Sequence, residues 1–246
     1  MKYYTREKPN KKRIWEIDAL RGLGMLGVIA IHVTYDLIYL FGLWQPKSTA
    51  LFDFGQDWGG IFFLFLSGIC VTLGSRSAKR GITVFGCGMV ITAVTVGMYL
   101  LDFADRGIII YFGVLHCLGV CMLLWQLFRK CPTWLLVVLG VVFAGVGLYW
   151  KYTDLRIATD WFTILGLPSY HFSSSDYFPL LPNFGYFLIG SVLGRTLYKK
   201  KESLLPHVNT ENIILRVLCW IGRHSLLVYL VHQPLIAAIL AVIAML

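Results

Sequence analysis

The sequence reads as an all-α protein that crosses a membrane about seven times, a single domain over residues 18–246 behind a basic tail of residues 1–17. Three features carry that reading. Of 246 residues, 57% are hydrophobic and only 14% charged, with a mean hydropathy of +0.69, too apolar for an ordinary water-soluble domain. Apolar runs near the ~20 residues needed to cross a bilayer recur along the whole chain. The charges are confined to the short stretches between those runs, which is how topology is controlled.

Met1 to Glu16 is polar and basic, carrying Lys2, Arg6, Lys8, Lys11, Lys12 and Arg13. The run that follows is longer than a signal-peptide core and has no small-residue cleavage site, so it is expected to be retained. Spans are expected at Leu20 to Leu43, Trp58 to Gly74, Ile82 to Leu101, Gly107 to Phe128, Trp134 to Trp150, Tyr177 to Tyr198 and Ser225 to Leu246. Gly22, Gly24 and Gly27 would weaken a helix in water, but in lipid they let neighbouring backbones approach. Tyr and Trp recur near the span ends, where an amphipathic ring suits the interface. Asn212 to Ile221 is too short to cross and is expected to lie along the membrane surface.

Of the 22 Lys and Arg residues, 18 fall on the side of the amino terminus and only Lys47, Arg106, Lys151 and Arg156 on the other. That bias places the amino terminus in the cytoplasm and the carboxyl terminus outside; the expected location is a cell (plasma or inner) membrane. The net charge of +9 therefore serves topology, and with no recognition motif present, nucleic acid is not an expected partner. The six cysteines lie in or beside apolar runs with no Cys-x-x-Cys pair, so neither a metal site nor a disulfide framework is expected. The long outer segment Lys151 to Asp176 is the natural place for an extracytoplasmic acceptor to meet the protein.

Ionisable residues inside an apolar run are costly and point to function. The stretch that opens on Asp18 carries Arg21 near its start and His32 and Asp36 deep inside it. Arg21 and His32 are eleven residues apart, within ~20° of each other on a helix and separated by ~16 Å of rise. Asp36, one turn beyond His32, is expected to orient its ring. Counting depth from the span starts puts His32, Ser67 and His116 on one level, with His232 and Gln233 about two turns lower and Arg21 and Arg223 at the cytoplasmic boundary.

These residues also carry a resemblance. The spacing of Arg21 and His32 resembles the R-x10-H signature of transmembrane acyltransferases, and Asp18-Ala-Leu-Arg21-Gly22 resembles the entry motif of the heparan-alpha-glucosaminide N-acetyltransferase catalytic domain. Ile61 to Gly68, Gly113 to Gly119 and Arg223 to Pro234 resemble the same group, in the expected order. The resemblance implies acetyl transfer from acetyl-CoA to a sugar amine or hydroxyl. Arg21 and Arg223 would clamp the donor phosphates. His32 would act as general base or acyl acceptor, with Asp36 and His116 as further catalytic candidates. Ser67, His116, His232 and Gln233 would contact the donor, the oxyanion or the acceptor. With seven spans and no large outer domain, the acceptor is as readily a small glycan, a lipid-linked sugar or another cell-envelope molecule as a glycosaminoglycan. Gly190-x3-Gly194 could serve a homodimer or internal packing. The alternative from another class is a small-solute transporter with a buried histidine proton relay; no repeated halves are evident to favour it.

Overall fold

The computed structural model describes residues 13–245; the basic tail up to Lys12 lies outside them. Among the described residues the protein is built from helices, with two isolated β-bridges and no strand, which agrees with the all-α polytopic reading. The helices are α1 (Trp15–Tyr35), continued by a π-helical stretch (Asp36–Leu40), α2 (Ala50–Leu73), α3 (Ser77–Leu100), α4 (Val114–Phe128), α5 (Thr133–Tyr152), α6 (Leu180–Thr196), α7 (Ile213–Arg223) and α8 (Ser225–Met245). By length and composition α1 with its π stretch, α2, α3, α5 and α8 can each cross a bilayer. Their large apolar residues, among them Leu23, Val90, Leu100, Val141 and Leu235, point outward, as lipid requires.

The expected fourth and sixth spans come out as helices of only 15 and 17 residues. In both, the first part of the apolar run stays outside the helix: a 3-10 turn at Arg106–Ile108 and then extended backbone before α4, and extended backbone before α6. Gly113 precedes α4 and Pro179 precedes α6, and both have extended backbone. The two extended approaches lie side by side. Phe178 donates its N–H to the Phe112 carbonyl at 2.9 Å, and the Ser174 and Ser175 hydroxyls donate to the Ile109 and Ile108 carbonyls at 2.9 and 2.8 Å. Each approach thus supplies partners that its neighbour's non-helical backbone would lack in lipid.

α4 and α6 form the centre of the main core. Cys117, Cys121 and Trp125 from α4 meet Phe184, Phe187 and Leu188 from α6, with Leu64 and Val71 of α2 and Leu136 of α5 closing the sides. Cys117 and Cys121 touch with their sulfurs 4.0 Å apart. Gly190 and Gly194 both face α2, against Phe65 and Ile69, so the small-residue motif serves packing within the chain. α7 departs from the surface-lying expectation: it packs antiparallel along α1, with Gly22 against Leu218 and Gly222 against Asp18. Its other side exposes Ile213, Ile214, Val217 and Trp220. α8 rests mainly on α1, the π stretch and α7.

Candidate active site

α1 and α8 bring together the polar groups that each buries. The His32 and His232 rings meet edge to face with centroids 4.8 Å apart. One turn along α1, the helix widens into the π stretch at Asp36, a local distortion that often marks functional positions. On α8, Pro234 has no N–H for the Leu230 carbonyl, which loosens the turn that carries His232 and Gln233. Both distortions face each other.

Asp36 is 1% exposed, and both its oxygens accept from Gln233 Nε2, at 3.1 and 3.0 Å. The expected pairing of Asp36 with His32 is therefore replaced by one with Gln233, because the π turn swings the carboxylate towards α8. Gln233 Oε1 is buried with no partner. His232 Nδ1 lies 2.6 Å from the Tyr229 carbonyl. A carbonyl only accepts, so Nδ1 carries the proton and Nε2 is left as the basic nitrogen. Among the described residues that Nε2 is buried without a hydrogen-bond partner. A buried, unpaired ring nitrogen beside a second imidazole is an arrangement that a folded chain maintains against its own stability.

The level of each group follows from the glycines between α1 and α2. Gly24 faces Phe62 and Phe63, while Ile31 faces Gly55 and Gly59, so the helices run antiparallel. His32 is level with the first two turns of α2, and Ser67 lies ~16 Å further down, level with Arg21. The expectation that Ser67 shares the depth of His32 is corrected: α2 starts at Ala50, eight residues before the apolar run suggests. The Ser67 hydroxyl is buried and unpartnered. The placement of His232 and Gln233 two turns below His32 is likewise corrected, since they stand beside it and Asp36.

His116 takes a different position from the one expected. It is the third residue of α4, and its Nδ1 accepts the Gly113 N–H at 3.2 Å. The Thr92 hydroxyl spends its proton on the Ile110 carbonyl at 2.6 Å, so it accepts from Nε2–H, 3.2 Å away. Both ring nitrogens are engaged, and Phe85 and Phe112 flank the ring. The geometry makes His116 the bolt of the α3–α4 junction rather than a second base beside His32.

At the end of the bundle where α1 begins, Arg21 Nη2 donates to Ser225 Oγ at 3.2 Å. Arg223 is exposed and donates from Nε to the Cys219 carbonyl at 3.0 Å. Both positive charges are felt at the Asp18 carboxylate, which forms its ion pair with Arg13 at 3.7 Å.

Two residues of the site lay outside the sequence candidates. Tyr229 holds His232 by its carbonyl and packs its ring 5.2 Å away; its spacing of three residues before His232 on a helix was the available signal. Asp176 lies in the extended approach to α6, close enough to Tyr229 for its charge to be felt at the phenol. No helical or alternating period covers it, so pattern reading had no handle.

Asp176 Oδ2 accepts the Val114 N–H at 3.1 Å at the start of α4. Burial pushes its carboxyl from 3.8 up to about 6, against the opposing pull of the Val114 N–H. Between those values the folded protein binds more protons than the unfolded chain, so stability falls as pH rises from 3.8 to about 6 and levels off above. Asp176→Asn, neutral throughout, is expected to remove that slope in thermal midpoints taken between about pH 4 and 7. An undiminished slope in the variant would assign it to other groups.

A family model described as heparan-alpha-glucosaminide N-acetyltransferase, catalytic, matches residues 13–234. Neither the curated proteins nor the solved structures contain a match to the chain.

Proposed function

The chain belongs to the heparan-alpha-glucosaminide N-acetyltransferase catalytic family, a family of membrane acetyltransferases, and from that premise we propose that it carries an acetyl group from cytoplasmic acetyl-CoA to an amine or hydroxyl at the outer face of a cell membrane. The observation that supports this most is the His32–His232 pair, with a buried and unengaged imidazole nitrogen held partway along two crossing helices. Such a nitrogen needs a proton donor, and an acceptor N–H or O–H is one.

In the proposed reaction the acceptor heteroatom bonds to the acetyl carbonyl carbon while its proton passes to an imidazole of the pair. The carbon–sulfur bond breaks, and the departing thiolate takes that proton back from the imidazolium. Alternatively a His32 ring nitrogen bonds to the acetyl carbon as the carbon–sulfur bond breaks and CoA leaves as the thiol with the ring proton; the acceptor heteroatom then displaces the imidazole and returns a proton to it. Gln233, its amide nitrogen engaged by Asp36, would offer Oε1 to accept a hydrogen bond from the acceptor's N–H or O–H. Arg21 and Arg223 stand where the donor phosphates would enter, and the Ser67 hydroxyl, level with Arg21, is available to the donor arm. The acceptor class is a sugar amine or hydroxyl, free or lipid-linked.

Titrating the purified protein with acetyl-CoA tests the reading. The expected result is a saturable rise in thermal midpoint, corresponding to about 2.7 kcal/mol at a hundredfold excess over Kd, together with slow thioester hydrolysis. A proton-coupled transporter would show neither. Absence of both effects would remove the acetyltransferase assignment for this site.

A further inference from the structure

The geometry points to a second site, a pocket for a phosphate group, at the end of the bundle where α2, α4 and α6 finish and α3 begins. It lies beyond the transfer site, bordered by α2, α3, α4 and α6 rather than by α1 and α8. The cavity has a volume of about 310 Å³, at the lower end of what small-ligand pockets occupy. Thr72, Ser75, Ser77, Arg129 and Arg195 line it.

Its charge is positive and uncompensated within the described residues. Arg195 is anchored by donating from Nη1 to the Cys131 carbonyl and from Nη2 to the Arg129 carbonyl, both at 2.6 Å, with its guanidinium 5.1 Å over the Trp125 ring. Those bonds cap the carboxyl end of α4 and hold the cation rigidly at the cavity wall. Arg129 is exposed beside it, and the Arg80 guanidinium sits over Gly74 on the rim. Among the described residues no carboxylate forms an ion pair with any of the three.

The donors converge from more than the arginines. Ser77 is buried and accepts from Gln126 Nε2 at 2.8 Å, so its hydroxyl keeps a proton to give. Ser77 also opens α3, a 24-residue helix whose first turn receives no side-chain cap. Its N–H groups therefore begin at the cavity wall without a side-chain partner. Guanidinium forks, a hydroxyl and free helix N–H groups outnumber the acceptors of a carboxylate and suit the several oxygens of a phosphate. That phosphate can belong to a soluble phosphorylated compound or to the headgroup of an anionic lipid, because the pocket sits at the level where helices leave the apolar zone.

The test uses the full chain in uncharged detergent, with inorganic phosphate and short-chain phosphatidylglycerol as probes, chloride at matched ionic strength and phosphatidylcholine as controls. A saturable rise in thermal midpoint with at least one probe, weakened at least tenfold in Arg129→Ala and in Ser75→Asp, is the expected result. Both substitutions are at exposed positions, and the Arg129 carbonyl that Arg195 needs is retained in alanine. A response to inorganic phosphate assigns a soluble ligand; a response to phosphatidylglycerol without one to inorganic phosphate assigns a lipid headgroup. No saturable rise with either probe, or an equal rise in both variants, would overturn the site. Since neither probe carries a thioester, that failure is separable from failure of the acetyl-CoA titration.

Discussion

Replacing His32 by alanine is expected to lower acetyl transfer by about 10² to 10⁴-fold while acetyl-CoA still stabilises the protein. The ring packs on His232 from one side and, among the described residues, makes no hydrogen bond that holds the fold together, so its loss costs little structure. What it removes is the group that takes the acceptor proton or the acetyl itself. Single-turnover transfer and thermal shift, measured on the same preparation, separate the two effects: kcat should fall while donor affinity changes little. Partial rescue by added imidazole would follow if the space vacated is reached by water. Turnover within a few-fold of the unaltered protein would show that the chemistry runs elsewhere. The companion change His232→Ala removes the unengaged Nε2 and is expected to lower transfer as well, by the same assay.

The largest structural effect is expected from Gly68→Leu. A Cβ at Gly68 would collide with the Phe187 carbonyl, and Gly190, one turn beyond on α6, meets the Phe65 carbonyl in the same way. The two backbones touch, and neither carbonyl is the end of a flexible side chain that could turn aside. Relief requires α2 and α6 to separate, which opens the core around Phe187 and Leu188. Overpacking of this kind costs about 3 kcal/mol or more, a large part of a typical protein's stability. Gly27→Leu, where an added side chain meets open space, is the control and should leave the thermal midpoint nearly unchanged. Similar midpoints for the two variants would mean that α2 and α6 are not in backbone contact.

Much of the architecture was legible without coordinates because hydropathy is summed along the chain and lipid imposes one length on every crossing. Helices formed within each of the seven apolar runs, and the short amphipathic segment became α7. The family was legible too, since its motifs are local strings. Element starts were less so. α2 begins among Ala50, Leu51 and Phe52, before the run that looked apolar enough to span, and that shift displaced Ser67 by several turns. α4 and α6 begin late because their approaches exchange hydrogen bonds with each other, 65 residues apart in sequence, and periodicity cannot register such a partner.

By itself the sequence determined that the chain lives in lipid, which segments are helical, which family it joins, and that α1 buries a histidine and an aspartate. Only the tertiary structure decided whom they meet: His32 with His232, Asp36 with Gln233, and His116 locked between Thr92 and Gly113. The physical reason is the range of the forces involved. Hydropathy and the hydrogen bonds inside a helix are set by residues within a turn or two along the chain, whereas the partner of a buried polar side chain depends on helix offsets. Those offsets are set by glycine contacts and by extended segments that feed the short helices, and an offset of one turn exchanges one polar neighbour for another.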